Sequence, residues 1–494
     1  MKIAIALLVL LSAIFLFYGR NLLKFPSSPS SYDVIVVGSG LAGLSAALEC
    51  YNQNASVLLI EKESYMGGNS MKATSGINLL FTMAQYENNV HDSKESFISD
   101  TMISSKNLSI PKLVDLLAQG AIESIEFLEK YGLELNSLSI LGGHSFARTH
   151  RPKDKPVGAT MTSILSKYIL QSTKIEVRLN TTAVELIKDE DEIIRGIKIM
   201  KDKDPNTLTE IKAKAIILAT GGFGHDFSEN SLIKEFNPEL LDFPTTNGPQ
   251  AEGLGLKMAR KIGAGLLHME HIQLHPTGFV DPNDRFSKKK FLAPELMRGI
   301  GGILLNDKGE RFCNELGTRD YVTEKILEKG DKTENQTEVF LVIPEEGRVE
   351  YGKNFDFYVY KGFLSLYKNW EDLGNSLLIN IDGIKNTLEK YEMAQKNGKD
   401  EFGKTIFSKG FHFEKGVYVG KVTPSIHYTM GGLKMNERGS ITKENGEIIP
   451  RLYGAGEVTG GVHGGNRLGG NSLLECVVFG RIAAKSAIND IKSP

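Results

Sequence analysis

The side chains most able to do chemistry fall in five short stretches of the second half of the chain. His275 stands in Gln273-Leu274-His275-Pro276-Thr277-Gly278. Glu295 and Arg298 stand in Glu295-Leu296-Met297-Arg298-Gly299, Arg319 in Thr318-Arg319-Asp320, and His427 just ahead of Met430-Gly431-Gly432. Arg467 lies within His463-Gly464-Gly465-Asn466-Arg467-Leu468-Gly469-Gly470-Asn471-Ser472. Arginine presents a planar fork that matches a carboxylate. His275 suits the role of a neutral or cationic donor to the same group. Gly299, Gly301 and Gly302 bring no side-chain bulk, so the nearby Glu295, Arg298, Arg311 and Arg319 read as the walls of a recess. Metal chemistry is not expected: His268, His271 and His275 lack an HExxH pattern, and Pro276 interrupts any continuous helix through them.

A second glycine-rich motif, near the other end of the chain, must position something for those residues to act on. Asp33-Val34-Ile35-Val36-Val37 reads as a buried parallel strand that runs directly into Gly38-Ser39-Gly40-Leu41-Ala42-Gly43. A helix follows, then a strand through Ser56 to Ile60, and then Glu61, about 20 residues past the glycines, where an acid can grip a ribose. Gly38 allows the tight turn, Gly40 lets backbone approach a pyrophosphate, and Gly43 lets helix and sheet pack closely. Gly67-Gly68-Asn69-Ser70 and Thr74-Ser75-Gly76-Ile77-Asn78 come next. These small and hydroxyl residues favour FAD over NAD, because backbone amides there can approach a ribityl chain and an isoalloxazine edge. Together the two ends of the chain suggest one flavin with a carboxylate substrate against it.

Between these ends the spacing predicts a small β meander from Ile175 through Ile199, feeding a last parallel strand that ends at Thr220-Gly221-Gly222. A helix is expected over Leu254 to Ile262. The glutamate- and lysine-rich stretch from Tyr321 to Lys415 suggests a separate, largely helical lobe in which Trp370 serves packing. Leu452-Tyr453-Gly454-Ala455-Gly456-Glu457 reads as a strand ending in a glycine turn and an acid, and Asn471 as the start of a helix aimed at the flavin.

The 494 residues can bury a large core. A formal net charge of -2 excludes a globally basic nucleic-acid binder, so function is sought in sites. Cys50, Cys313 and Cys476 cannot make a disulfide framework, a zinc site or a haem attachment, so any redox centre must be organic. Ile3 to Tyr18 is an apolar run with basic flanks, expected to be an uncleaved anchor or an inefficiently cleaved signal, and Phe25 to Ser31 reads as a linker. Sequons at Asn107, Asn180 and Asn335 are compatible with a lumenal location. Attachment to a membrane through residues 3–18, in the endoplasmic reticulum or the mitochondrion, is the expectation, and a monomer is expected.

From Tyr32 to the C-terminus the chain resembles the soluble fumarate reductases of the succinate dehydrogenase/fumarate reductase flavoprotein family. The resemblance runs through GSGLAG, GGNSMKATSGIN, LGGHS, ATGGFG, QLHPTGF, RGIGGILL, RFCNE, TRD, HYTMGG and GAGEVTGGVHGGNRLGGNSLLE. It implies an α/β fold with a Rossmann-like FAD-binding domain (residues 32–268 and 427–494) and an inserted α+β capping domain (residues 269–426). It also implies hydride transfer to fumarate with Arg319 as proton donor, and Arg298 with Glu295 as the relay that resupplies it. His275, His427 and Arg467 would bind and polarise the substrate carboxylates, with Glu295 and Arg319 beside them. Flavin contacts are implied at the glycine motif and the Gly67 to Asn78 run, and also at Lys62, Val184, Thr220, Gly221, Gly222, Glu252, His427, Glu457, Arg467, Ser472 and Leu473. Pro294 departs from the hydroxyl residue of several bacterial relatives, and Glu252-Gly253 from the usual aspartate-glycine pair. No histidine lies between Ser70 and Asn78, so the FAD should be noncovalent. Haem motifs are absent, so electrons would come from free reduced flavin or an unidentified donor. The alternatives are a related enoate reductase, an L-aspartate oxidase-like enzyme, or a membrane-tethered flavin-binding protein without turnover.

Overall fold

The computed structural model describes residues 31–407, 410–412 and 415–493. The apolar run from Ile3 to Tyr18 and most of the linker lie outside the described residues. Among those residues, no helix is long and apolar enough to cross a membrane.

The strand-turn-helix-strand reading of the N-terminal motif holds. Strand β1 (Ser31–Val37) leads into helix α1 (Leu41–Asn52), which returns to β2 (Val57–Ile60). β1 pairs in parallel with β2 on one side and with β6 (Thr209–Leu218) on the other. β2 in turn pairs in parallel with β3 (Ile175–Arg178). The C-terminal strand β13 (Ile448–Gly454) adds to β6 in parallel, so both ends of the chain build one eight-stranded sheet. β4 (Thr181–Lys188) and β5 (Ile194–Lys201) form an antiparallel ribbon hydrogen-bonded to β6, and β12 (Ser440–Thr442) closes the opposite edge. The long helix α4 (Asn471–Lys492) packs its Leu474, Val477 and Phe479 into the same core as Val34, Ile35 and Leu58. β1, β2 and the last four residues of β6 (215–218) are near-continuous buried apolar runs because both faces of a parallel sheet are covered.

β3 corrects the expected meander. It is an edge strand of the parallel sheet, reached through a helix over Val157–Gln171. Alternation marks any half-exposed strand, and it does not distinguish a parallel edge from an antiparallel hairpin.

A second, seven-stranded sheet is largely antiparallel. It orders β8 (Phe291–Leu292), β7 (Ile272–Phe279), β11 (Val417–Thr429), β10 (Thr337–Pro344) and β9 (Ile303–Leu305). β10 lies inside the stretch expected to be a largely helical lobe. Its Val339-Phe340-Leu341-Val342-Ile343 is a buried apolar run that outweighs the surrounding lysines and glutamates. Trp370 packs against the core formed by Ile303, Phe340 and Val417. The architecture is therefore a Rossmann-like α/β unit carrying an α+β cap. The thirteen-residue β11 links the two, ending at Thr429 beside the glycines that return to the first sheet.

Candidate active site

A cleft of about 640 Å³ runs between the glycine turn of the first sheet and the β7, β8 and β11 edge of the second. At its nucleotide end the backbone leaves β1 at Gly38, whose φ is +102°, and a Cβ there would sit 2.3 Å from the Ala219 carbonyl oxygen. A Cβ on Gly43 would sit 1.8 Å from the Gly38 carbonyl oxygen, so both positions require glycine for close packing of turn, helix and sheet. Glu61 is buried at the end of β2. Its carboxylate accepts from the Ser39 amide at 2.9 Å and from the Ser39 hydroxyl at 2.5 Å, which ties the acid to the turn. Gly38, Ser39, Gly40, Ala42, Glu61 and Lys62 all line the cleft. So do Gly68, Asn69, Ser70, Thr74, Ser75, Gly76, Thr220 and Gly221, and from the C-terminal side Glu457, Ser472 and Leu473.

Six expected cofactor positions stand off the cleft wall. Gly43 and Gly67 serve backbone packing: the Gly67 amide donates to the Ser39 carbonyl. Asn78 is fully buried and donates to the Gly469 carbonyl at 2.8 Å and to Asn471 at 2.6 Å, bracing the start of α4. Gly222 backs Glu457, since a Cβ there would sit 2.6 Å from its Oε1. Val184 does not line the cleft, whereas Thr181, Thr182 and Ala183 of the same strand do, and the pairing with β5 shifts register between Ala183 and Glu185. Glu252 instead accepts from Lys62 Nζ at 2.6 Å and acts on the cleft only through that lysine.

At the other end the distant basic residues converge. Arg319, the first residue of α3 (Arg319–Lys329), is buried, and its Nε and Nη2 both lie 2.7 Å from Glu295 Oε2. The second Glu295 oxygen accepts from the Gly142 amide at 2.8 Å. Burial pushes the Glu295 carboxyl up, but the Arg319 and Arg298 guanidinium groups outweigh it and hold its pKa at about 2. Glu295 caps the one-turn helix α2 (Leu296–Gly299), which places Arg298 one turn on, fully enclosed. Arg298 Nη1 donates to the Glu315 carbonyl, whereas its Nε and Nη2 meet no protein partner among the described residues. Burial and the neighbouring Arg319 lower the Arg298 pKa. Arg298 and Glu295 stand behind Arg319 and off the cleft wall, while Arg319, His275, His427 and Arg467 line it.

His275 is fully buried on β7 and accepts the Thr277 amide on Nδ1 at 3.2 Å, so the neutral ring carries its proton on Nε2. That Nε2 has no protein partner among the described residues. His427 lies across from it, ring centroids 5.0 Å apart, with Nδ1 2.7 Å from the Thr246 hydroxyl. Burial, then the Arg319 charge, drives both imidazole pKa values well below 6.5. Both rings are therefore neutral hydrogen-bonding groups at neutral pH. Arg467 is buried; burial and then Arg319 lower its pKa to about 10. Among the described residues its Nη1 donates to the Leu468 carbonyl at 3.1 Å and its Nε has no partner. Burial raises the Glu457 carboxyl to about 7 even though the Thr429 amide donates to it at 3.0 Å.

The sequence reading missed Gln273. Its Oε1 accepts from Arg319 Nη1 at 2.8 Å and its Nε2 donates to the Arg467 carbonyl at 2.8 Å, so it bridges the two arginines. Its place two residues before His275 on a strand was the available signal. Arg311 does not join the recess. It pairs with Glu315 at 2.8 Å and Asp400 at 3.0 Å in a separate buried ion cluster that also includes Lys404.

The cleft fits FAD on its own chemistry. Its glycine cradle admits no Cβ at Gly38 or Gly43, and buried polar atoms along it, Thr220 Oγ1, Gln250 Oε1 and His275 Nε2, have no partner among the described residues. A family described as FAD binding domain matches residues 33–473. The chain is 42% identical over 474 residues to fumarate reductase 1 of Saccharomyces cerevisiae, covering 93% of this chain and 99% of that protein. It is 38% identical over 471 residues to the fumarate reductase of Schizosaccharomyces pombe, covering 93% of this chain and 90% of that one. Among solved structures it is similar to the open conformation of a flavocytochrome c3 fumarate reductase, with a TM-score of 0.74 and 32% identity over 94% of this chain and 80% of the other. This chain belongs to the FAD-binding succinate dehydrogenase/fumarate reductase flavoprotein family.

Proposed function

We propose that this chain reduces fumarate to succinate. The observation that carries the reading is the convergence of Arg319, Arg467, His275 and His427 on one cleft, with Glu295, among the described residues, the only carboxylate in direct contact with any of the four. Two guanidinium groups and two neutral imidazoles at the end of a flavin site match a small planar dicarboxylate. A monocarboxylate would leave part of that donor set unpaired, at a cost of about 1–3 kcal/mol per buried group.

Reduced FAD, when bound, supplies the hydride. The chain's residues do the rest. Arg467 and the two histidines hold the carboxylates, and Arg319 and Arg467 stabilise the negative charge that develops on the substrate as the hydride adds to one alkene carbon. A guanidinium yields a proton only to a strong base, and the developing carbanion is one. Arg319 delivers that proton to the second carbon, and Glu295, in contact with its Nε and Nη2, is placed to return one, with Arg298 acting on Glu295 by charge. Gln273 keeps Arg319 in register with Arg467.

The test is anaerobic: holoenzyme with reduced viologen, fumarate added, succinate measured. Viologen oxidation with stoichiometric succinate supports the reading, and its absence removes it. Parallel reactions with other unsaturated acids and with L-aspartate separate a broader enoate reductase or an oxidase. A panel with free reduced flavin as donor addresses the electron source. The reading extends to attachment through residues 3–18 in the endoplasmic reticulum or mitochondrion, and fractionation of the full chain against one lacking those residues tests it.

A further inference from the structure

The cleft is far more basic than the chain. Among the described residues, nine lysine and arginine side chains line it against two carboxylates, Glu61 and Glu457, in a protein of net charge -2. Arg319 and Arg467 belong to the inner site. Lys72, Lys153, Lys155 and Lys289 are exposed residues at its mouth, and among the described residues none of them has an acidic side chain within ion-pairing distance. Unpaired lysines of one sign around an opening repel one another. Lys72 feels this directly: its partial enclosure, together with the Lys289 ammonium, lowers its pKa to about 8.

The placement of two of these lysines is specific. Lys72 donates to Asn69 Oδ1 at 3.1 Å; Asn69 Nδ2 donates to Asn247 at 2.6 Å, and Asn247 donates to the His427 carbonyl at 3.1 Å. Lys289 lies on the segment bridged to Thr245, whose hydroxyl donates to the carbonyl of Ile426, the residue before His427. Lys72 is close enough to lower the His427 pKa by charge. The positive potential therefore continues from two solvent-facing ammonium groups, past His427, to His275 and the two buried arginines.

We propose that Lys72 and Lys289 form an outer capture site for dicarboxylate dianions, which concentrates them at the mouth and hands them to the inner arginines. This rests on the proposed dicarboxylate reading and deepens it, because it assigns encounter selectivity to residues outside the inner site. A cleft of one charge sign with low-dielectric walls focuses its field and raises the association rate of an oppositely charged ligand. The effect on a dianion exceeds that on a monoanion, and salt screens it within about 8 Å at physiological ionic strength.

The experiment follows association of malonate, a dianion that cannot accept a hydride, with FAD-loaded protein by stopped-flow flavin absorbance. In the native chain the association rate should fall about tenfold between about 10 and about 200 mM salt, with the dissociation rate changed less than about twofold. Lys72→Gln/Lys289→Gln should associate about fivefold more slowly at low salt, with a flatter salt dependence, and converge on the native rate at high salt. Lys289→Glu alone should slow it further and spare acetate, a monoanion, by comparison. Equal association rates and equal salt slopes in native and double-variant protein would overturn the capture site. Fumarate turnover on the same preparations is read separately. Its absence with malonate association intact removes the reductase reading and leaves the capture site standing.

Discussion

The Arg467 guanidinium lies over the face of Tyr428, 4.2 Å from the ring centroid, and Tyr428 donates its hydroxyl to Glu475 at 2.5 Å. Glu475 also meets His463 Nε2 at 3.0 Å, and all four residues are buried. The arginine most exposed to electrostatic penalty in the cleft is thus seated on an aromatic face that is itself fixed by a buried carboxylate. Tyr428→Leu removes the face and should raise the KM for fumarate about tenfold, the scale of a desolvated cation–π contact. Tyr428→Phe keeps the face and removes one of the two partners of Glu475 Oε2, leaving His463 Nε2, so its cost should appear as about 1–3 kcal/mol of stability with a much smaller KM change. Steady-state kinetics and thermal melts on the two variants separate these effects.

Glu295→Gln keeps the shape of the relay and removes its charge. Arg319 would lose the carboxylate 2.7 Å from two of its nitrogens, and the proton it gives up could no longer be replaced through that side chain. Turnover should fall by at least about 100-fold, the contribution expected of a positioned proton carrier. Flavin content should stay near one per chain, because Glu295 lies off the cleft wall. Loss of FAD together with activity would instead assign Glu295 to structure.

Two carboxylates give the folded protein opposite pH responses. Glu295 has a folded pKa of about 2 against 4.5 when unfolded, so its stabilisation is complete above 4.5 and is lost as pH falls from there through 2. Glu457 is raised to about 7, so the flavin-free protein carries no penalty from it below 4.5, a growing one between 4.5 and 7, and the full one above. Glu457→Gln should therefore stabilise the flavin-free protein at pH 8 by about 1–3 kcal/mol and leave it nearly unchanged at pH 4.5. Denaturant melts of both proteins at the two pH values provide the check.

Local signals in the chain foretold much of this molecule. The run from Asp33 through Glu61 was readable because strand, turn, helix, strand and acid are contiguous, and the turn between them leaves no room for a Cβ at Gly38 or Gly43. Arg319 and Arg467 could be named because guanidinium groups among glycines are unusual. Gln273 escaped, since an amide becomes informative only when its partners are known, and its partners lie 46 and 194 positions away. Val184 stands one residue past the last cleft-lining position of β4, where the pairing with β5 shifts register, an irregularity that alternation in the sequence does not reveal. β10 was hidden because surface charge dominates composition even where seven consecutive residues of the strand are buried.

Gly43→Ala tests the nucleotide end without touching the substrate residues. The added methyl would sit 1.8 Å from the Gly38 carbonyl oxygen and 3.4 Å from the Ala219 Cβ, and neither neighbour can yield: the first is turn backbone and the second closes β6. Relief requires α1 to move away from β1, which carries the amides of the turn out of position for a pyrophosphate at the helix N-terminus. FAD content should drop at least about tenfold, since the phosphate contact contributes on the order of 1–2 kcal/mol before any lost packing is added. The second sheet shares no backbone with that turn, so far-ultraviolet circular dichroism should stay near native while flavin absorbance is lost. Retention of full flavin by the alanine variant would show that the glycine turn is not where the dinucleotide is held.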